Sequence, residues 1–341
     1  MLSVIITVDG TNEYPQQCVE SLLNQTYENK EILVIPYGQM PQWKLPENPE
    51  LCMSETVCDR VEAQNQGIRM AKGEYILFMD PDTWLDEDAL EIFADEAEAE
   101  ELDILRFNCI REYRTRSMVP QNPLLPAEVQ RNEQVERICR LTVGLTDRDM
   151  AYTEWINSLS MANFCLYRKA VIDENKLQFE AVADKKLFSD CLFNAKFLAK
   201  AQSFLYMKVA LCHCMTPEAY GLNTEYQADF LARQQQFFAK LRAFVESRED
   251  PRFLEAYYNR VACSTLEIGL NVLKSDKSKK EMYREFKAIR KSAIHRNAYK
   301  MLSLRCLPAA WKMYYFYAKY GFTRRLYSMT KTIRAYQQAG R

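Results

Sequence analysis

Asn65-Gln-Gly-Ile-Arg-Met-Ala-Lys-Gly-Glu-Tyr-Ile-Leu-Phe-Met-Asp-Pro-Asp-Thr-Trp-Leu-Asp86 decides how this chain is read. A helical stretch carrying Gly67, Ile68 and Ala71 breaks at Gly73. Tyr75 to Met79 is then a continuous apolar run, of the length and type of a strand buried on both faces. It stops at Asp80-Pro81-Asp82. Two carboxylates therefore leave a buried strand at its C-terminal end, where open α/β sheets hold their ligands. Carboxylate oxygens suit a hard divalent cation, Mg2+ or Mn2+. Such a cation would hold a diphosphate and stabilise it as a leaving group. Taken alone, an Asp-rich turn with a solvated helix cap accounts for the same residues.

Outward from this stretch, residues 1–110 alternate strand and helix patterns. Strands are expected at 3–8, 31–36, 74–79 and 103–109, with helices at 15–24, 60–71 and 86–99. That order predicts an α/β fold, a mostly parallel sheet covered by helices on both sides. Pro120, Pro123 and Pro126 mark 112–127 as a loop, followed by a helix at about 128–142. Beyond about residue 222 the pattern is helical: 225–247, 251–273, 279–294 and 308–337, the last broken near Gly321. Phe237, Phe238, Leu241, Phe244 and Val245 recur at helical spacing and are expected in a core.

Ser3-Val-Ile-Ile-Thr-Val8, Cys18-Val-Glu-Ser-Leu-Leu-Asn-Gln-Thr-Tyr27, Glu31-Ile-Leu-Val-Ile35 and the stretch from Asn65 to Trp84 follow one another in a fixed order. Together they resemble the inverting family 2 glycosyltransferases of GT-A (Rossmann-like) fold. The last of them matches the segment ending in that family's Asp-x-Asp motif. The resemblance resumes over 163–214, in Asn163 to Ile172, Leu177-Gln-Phe179 and Phe188 to Leu198, with a final strand at 204–214. It implies a glycosyltransferase domain over 1–222, divided into a nucleotide-sugar half (1–110) and an acceptor half (111–222), with a helical region at 223–341. It implies transfer with inversion from a nucleotide sugar, a UDP-sugar, to a glycan or lipid-linked acceptor in surface polysaccharide synthesis.

The resemblance gives Asp82 the role of metal ligand and Asp80 that of a ribose or water-mediated metal contact. Asp190 matches the Asp of the family's Glu-Asp pair and becomes the acceptor base; as an ordinary residue it would cap a helix at 190–200. Thr7, Asp9, Tyr37, Gln64 and Asn65 fall on the nucleotide side. There the chain departs from the family. Thr7-Val8-Asp9-Gly10 replaces Pro-x-Tyr-Asn, and Pro36-Tyr37-Gly38-Gln39 replaces Asp-Asp-Gly-Ser. Gln64 stands for the arginine facing the diphosphate, Ser189 for the Glu of the pair, and His213-Cys214 for Tyr-Arg. Two readings follow: an enzyme whose donor base meets Asp9 or Tyr37, or a catalytically impaired GT-A-fold scaffolding subunit. The intact Asp80, Asp82 and Asp190 favour the enzyme.

The chain has 341 residues and a net charge of -1 that hides an asymmetry. From Lys279 to Arg341 there are 16 lysines and arginines against Glu281 and Glu285, so this tail is strongly basic and the body acidic. With Trp311, Tyr314 to Tyr317, Tyr320 and Phe322 interleaved, 279–341 reads as a peripheral contact with an anionic membrane. Packing on the rest of the chain or in a homo-oligomer is the alternative. No nucleic-acid fold motif accompanies the tail. The start at Met1-Leu-Ser-Val lacks a signal peptide, and no apolar run is long enough to span a bilayer, so a cytoplasmic protein at the inner membrane face is expected. The 11 cysteines lack paired metal-type spacing, and buried thiols are the expectation even at Cys212-His213-Cys214.

Overall fold

The computed structural model describes residues 1–11, 13–113, 116–183, 186–215 and 225–339. The chain divides into two compact units, one of residues 1–139 and 159–217, the other of 140–158 and 218–341.

The first unit runs β1 (Leu2–Asp9), α1 (Gln16–Leu23), β2 (Lys30–Tyr37), β3 (Leu51–Met53), α2 (Arg60–Met70), β4 (Tyr75–Met79), β5 (Thr83–Leu85), α3 (Ala89–Ala99), β6 (Ile104–Glu112), β7 (Ser117–Met118), β8 (Gln130–Arg131) and α4 (Glu133–Val143). It continues with β9 (Cys165–Arg168), α5 (Lys169–Glu174), α6 (Lys186–Leu198) and β10 (Ser203–Met215). The strands form one sheet in the order β3-β2-β1-β4-β9-β6-β10-β5, with β7 on β6 and β8 on β10. β3, β2, β1 and β4 are parallel neighbours, as are β6 and β10; β9 and β5 run against their neighbours. The expected α/β fold is therefore present, and antiparallel β9 and β5 make its sheet a mixed one.

β1 lies between β2 and β4, and seven of its eight residues are buried. Its unbroken apolar run is what a strand covered on both faces needs. α2 packs on it through Gly67, where a Cβ would stand 2.4 Å from Ile5 Cγ2. The helix starts at Asp59, whose carboxylate accepts from the amides of Val61 (2.9 Å) and Glu62 (3.0 Å). α2 is thus held at a fixed height over β1, and this sets where its residues 64 and 65 point.

The second unit adds α7 (Phe230–Glu246), α8 (Arg252–Val272), α9 (Lys279–Lys291), α10 (Ala293–Met301), α11 (Ala309–Tyr320) and α12 (Thr323–Ala339). Phe237, Phe238, Leu241 and Val245 are buried, while Phe244 is half-buried at the edge of Phe253. The helix expected at 279–294 ends at Ser292, which caps a separate helix, α10, that the sequence reading did not separate. α11 ends at Gly321 in the left-handed conformation (φ 84°), which is the expected break.

Residues 140–158, placed with the acceptor half in the sequence reading, cluster with these helices instead. The buried Arg260 of α8 explains it: Nη1 donates to the Thr142 carbonyl (2.9 Å) and Nη2 to Asn157 Oδ1 (2.6 Å). Asn259 adds a bond to the Leu145 carbonyl at 2.8 Å. Long-range side-chain bonds of this kind leave no local signal. No helix of the described residues is long and apolar enough to cross a membrane.

Gly67→Ala should destabilise the protein by about 1–3 kcal/mol through overpacking against Ile5. That outweighs the gain of about 1 kcal/mol that alanine brings to a helix interior. Urea denaturation checks this; an unchanged or higher midpoint would show that α2 is not pressed on β1.

Candidate active site

Asp80 is the first residue beyond β4. Its backbone carbonyl accepts from Thr83, from the amide at 3.1 Å and the hydroxyl at 2.6 Å. This closes the turn through Asp82 and starts β5, which pairs with β10. Each oxygen of the Asp80 carboxylate has a partner. Oδ2 accepts from Asn163 Nδ2 at 2.8 Å, and Oδ1 is ion-paired with the Lys186 ammonium. Asn163 arrives because β9, just after it, lies antiparallel to β4. Lys186 opens α6.

One turn along α6, on the same face, is Asp190. It has no exposed surface. Oδ2 accepts from the Ala162 amide at 3.1 Å and Oδ1 from Gln64 Nε2 at 3.2 Å. Asp190 is thus inside α6, not at its cap. Burial pushes its carboxyl above the usual range; Lys186, the Ala162 amide and Gln64 pull the other way, and Asp80 adds to the rise. Burial alone would depress the Lys186 ammonium, but Asp80 and Asp190 outweigh it and its pKa is raised. A desolvated carboxylate beside a lysine is the setting of a general base.

Gln64 Oε1, Asn163 Oδ1 and Ser189 Oγ are buried without a hydrogen-bond partner. A buried orphan of this kind costs about 1–3 kcal/mol, so native proteins hold few of them. Gln64 and Asn163, bonded to Asp190 and Asp80 respectively, thus mark a place where a ligand or solvent completes the bonding.

Asp82 is exposed, and no other described side chain bonds its carboxylate. Desolvation at the strand end raises its pKa, the Asp80 charge adds to this, and Lys186 opposes it. Among the described residues no three Asp, Glu, His or Cys side chains converge on one point. Mg2+ and Mn2+ are often held by one or two carboxylates with substrate phosphates and water supplying the rest. Asp82 fits that role. Asp80, ion-paired with Lys186, would share in it once the ammonium moves aside.

The other sequence candidates spread around this centre. Asp9 and Tyr37 are partners in register at the ends of β1 and β2. Asp9 Oδ1 accepts from the Thr11 amide (3.0 Å) and hydroxyl (2.9 Å). The Tyr37 phenol is raised by burial, against the charges of Arg60 and Lys186 and with those of Asp9 and Asp80. Tyr37 thus feels the charges of Asp80 and Lys186. Thr7 is buried within β1 opposite Ile35. Asn65 is occupied elsewhere: its amide donates to the Phe179 carbonyl (3.0 Å) and accepts from the Phe179 amide (2.8 Å). Phe179 in turn stacks on Phe193, so Asn65 braces a wall of the site.

Residues 55–175 match the model of glycosyl transferase family 2. This stretch is similar to a family 2 glycosyltransferase domain. The match starts beyond Thr7 to Gly10 and Pro36 to Gln39, where the motifs depart, and ends before Asp190. The protein EpsH of Bacillus subtilis strain 168 is 23% identical over 219 residues, 62% of this chain and 60% of its own length. Glycosyltransferase GlyG of Streptococcus pneumoniae serotype 4 is 28% identical over 118 residues, 31% of this chain and 38% of its own. The matched region thus spans under two thirds of these relatives. The structure of S. aureus TarS 1-349 in complex with UDP-GlcNAc covers 98% of this chain and 91% of its own, with a TM-score of 0.63 and 16% identity. The glycosyltransferase domain therefore shares the GT-A fold of that structure.

Sequence reasoning missed Lys186 and Asn163 as members of the site. Lys186 stands four residues before Asp190, a spacing that carries meaning only once α6 is known to begin there. His213 belongs to a different arrangement: stacked on Trp84 at 5.2 Å, it bonds Glu112 (2.8 Å) and Asp86 (3.1 Å). The alternation of β10 turns it away from the buried Cys212 and Cys214, so the three do not share a ligand site.

The Asp190 environment predicts a pH dependence of stability. A carboxyl raised in the folded state costs nothing below its unfolded value of about 3.9 and destabilises progressively as pH rises through the folded value. Asp190→Asn should therefore melt at or above the wild-type temperature at neutral pH. Gln64 can turn its orphan oxygen to the new amide. The difference should vanish near pH 3. A lower melting temperature at neutral pH would show the charged form of Asp190 to be net stabilising.

Proposed function

We propose that the protein transfers a sugar, with inversion, from a UDP-sugar to a glycan or lipid-linked acceptor in surface polysaccharide synthesis. The supporting observation is the convergence of Asp80, Asp82, Lys186 and Asp190 at the end of β4, with the unpartnered oxygens of Gln64 and Asn163 beside them. The TarS fragment was crystallised with UDP-GlcNAc and with UDP, which supports a uridine diphosphate donor here.

The donor diphosphate lies beside Asp82 and Lys186. A divalent metal, held by Asp82 and the phosphates, would supply further charge neutralisation for the leaving group. Lys186 contributes the cation that position 64 lacks. It is drawn from Asp80 to the diphosphate, which frees Asp80 for the ribose. Arg60 approaches from α2, while Asp9 and Tyr37 bracket the base at the ends of β1 and β2. Asp190 takes the acceptor hydroxyl proton. The acceptor oxygen attacks the anomeric carbon from the face opposite the diphosphate, and the glycosidic electron pair leaves with the diphosphate. Asp190 is closed off in this arrangement, so the Gln64 and Lys186 side chains must move as substrates enter. The basic region from 279 onward contacts an anionic membrane surface.

A thermal-shift screen of nucleoside diphosphates and UDP-sugars, with Mn2+ and with chelator, tests the donor, since a ligand of the folded state raises its stability. Absence of any shift would remove the UDP-sugar reading. In calorimetric titrations, Asp82→Asn should abolish the Mn2+-dependent part of UDP binding. Lys186→Met should weaken UDP binding about ten- to hundredfold in chelator, the scale of a lost bond to a charged group. Unchanged affinity in either case removes that residue from the diphosphate. Asp190→Asn should lower turnover about a hundredfold or more while donor binding persists. Turnover within a few-fold of wild type would leave Asp190 a structural residue.

A further inference from the structure

The helical unit contains a second charged site. A cavity of about 360 Å³ opens where the ends of α9 and α11 meet α10. Arg290 and Lys291 come from α9, Arg296 and Lys300 from α10, and Lys319 from α11, with no acidic residue in the lining. Tyr299 also lines it, held by a 2.6 Å bond between its hydroxyl and Thr265. Lys319 is tied to the Leu302 carbonyl at 2.9 Å. Arg290 lies against Gly321, where a Cβ would stand 2.6 Å from the guanidinium carbon, so the glycine that ends α11 also makes room for this cation.

Helix macrodipoles account for part of the cluster. Arg290, Lys291, Lys300 and Lys319 sit at helix C-terminal ends, where cations are favoured. They do not account for Arg296, which lies in the first turn of α10, the end that favours anions. A cation there, facing four others without a carboxylate, is the arrangement an anionic ligand stabilises.

The rim shows where that ligand comes from. Tyr320 is 57% exposed, Phe322 47% and Phe316 41%, and Met301 is exposed on α10. Phe316 stacks on Phe322 with ring centroids 5.8 Å apart. Exposed aromatics beside unpaired cations are the composition of a membrane-interface contact. We propose that this cavity receives the phosphate of an anionic lipid headgroup, with Phe316, Tyr320 and Phe322 lying at headgroup depth. The assignment rests on the membrane contact proposed above and gives it a defined site.

Co-sedimentation of the full chain with vesicles of phosphatidylcholine, alone or with phosphatidylglycerol, tests it. Wild type should bind only the anionic vesicles. Arg296→Glu with Lys300→Glu should lower the partition coefficient by roughly tenfold or more. Arg324→Glu with Lys331→Glu, exposed on α12 outside the cavity and equal in charge change, should have a much smaller effect. The neutral pair Arg296→Gln with Lys300→Gln, with thermal melts of each variant, separates lost binding from lost folding. Equal losses for both charge-reversed pairs overturn the cavity but leave a diffuse membrane contact. Failure of wild type to bind anionic vesicles overturns both. If glycerol phosphate binds by calorimetry and vesicles do not, the cavity takes a soluble phosphate ester and the lipid assignment falls. UDP binding, measured in parallel, is unaffected in every case.

Discussion

Burial of β4 between β1 and β9 is the constraint on which the site depends. All five of its residues are buried, so the strand can end only where the chain regains polar partners. Asp80 supplies them. Its carbonyl closes the turn with Thr83, and its carboxylate meets Asn163 from the entry to β9 and Lys186 from the start of α6. Three segments distant in sequence are thereby joined at one strand end. Close packing of α2 on β1 at Gly67 brings Gln64 to the same place.

The electrostatics of this junction favour function over stability. A carboxylate without exposed surface is expensive, and pairing offsets only part of the desolvation. Asp190 remains raised although Lys186, an amide and a glutamine all favour its charged form. Gln64 and Asn163 each add an orphan oxygen nearby. A site built only for stability would replace these groups with apolar side chains of similar volume. Their presence is intelligible if a charged ligand and an acceptor hydroxyl complete the bonding.

The helical unit follows different rules. Its core is aromatic and tyrosine-rich, and the buried Tyr299, Tyr314 and Tyr315 lie within the segment whose sequence is most basic. Aromatic residues that looked like one surface feature therefore divide into two sets. One is core, and the other, Phe316, Tyr320 and Phe322, is exposed. Helical spacing makes the division: Tyr314, Tyr315 and Ala318 share the inward face of α11, and Phe316 and Tyr320 the outward one.

What the sequence determined by itself was local and periodic. The apolar runs of β1, β2 and β4, the helical spacing of α7 and α8 and the glycine at 321 announced their elements, because strand and helix burial impose periods of 2 and 3.6. Asp80 and Asp82 were legible for the same reason, as an abrupt end to such a run. Asp190 was legible only through family resemblance. Tertiary structure alone decided the rest. Lys186 and Asn163 entered the site, Asn65 turned to Phe179, and 140–158 joined the helical unit through Arg260. Each depends on hydrogen bonds or charge pairs between residues far apart in the chain. Such contacts follow from how elements pack, and no periodicity in the sequence encodes them.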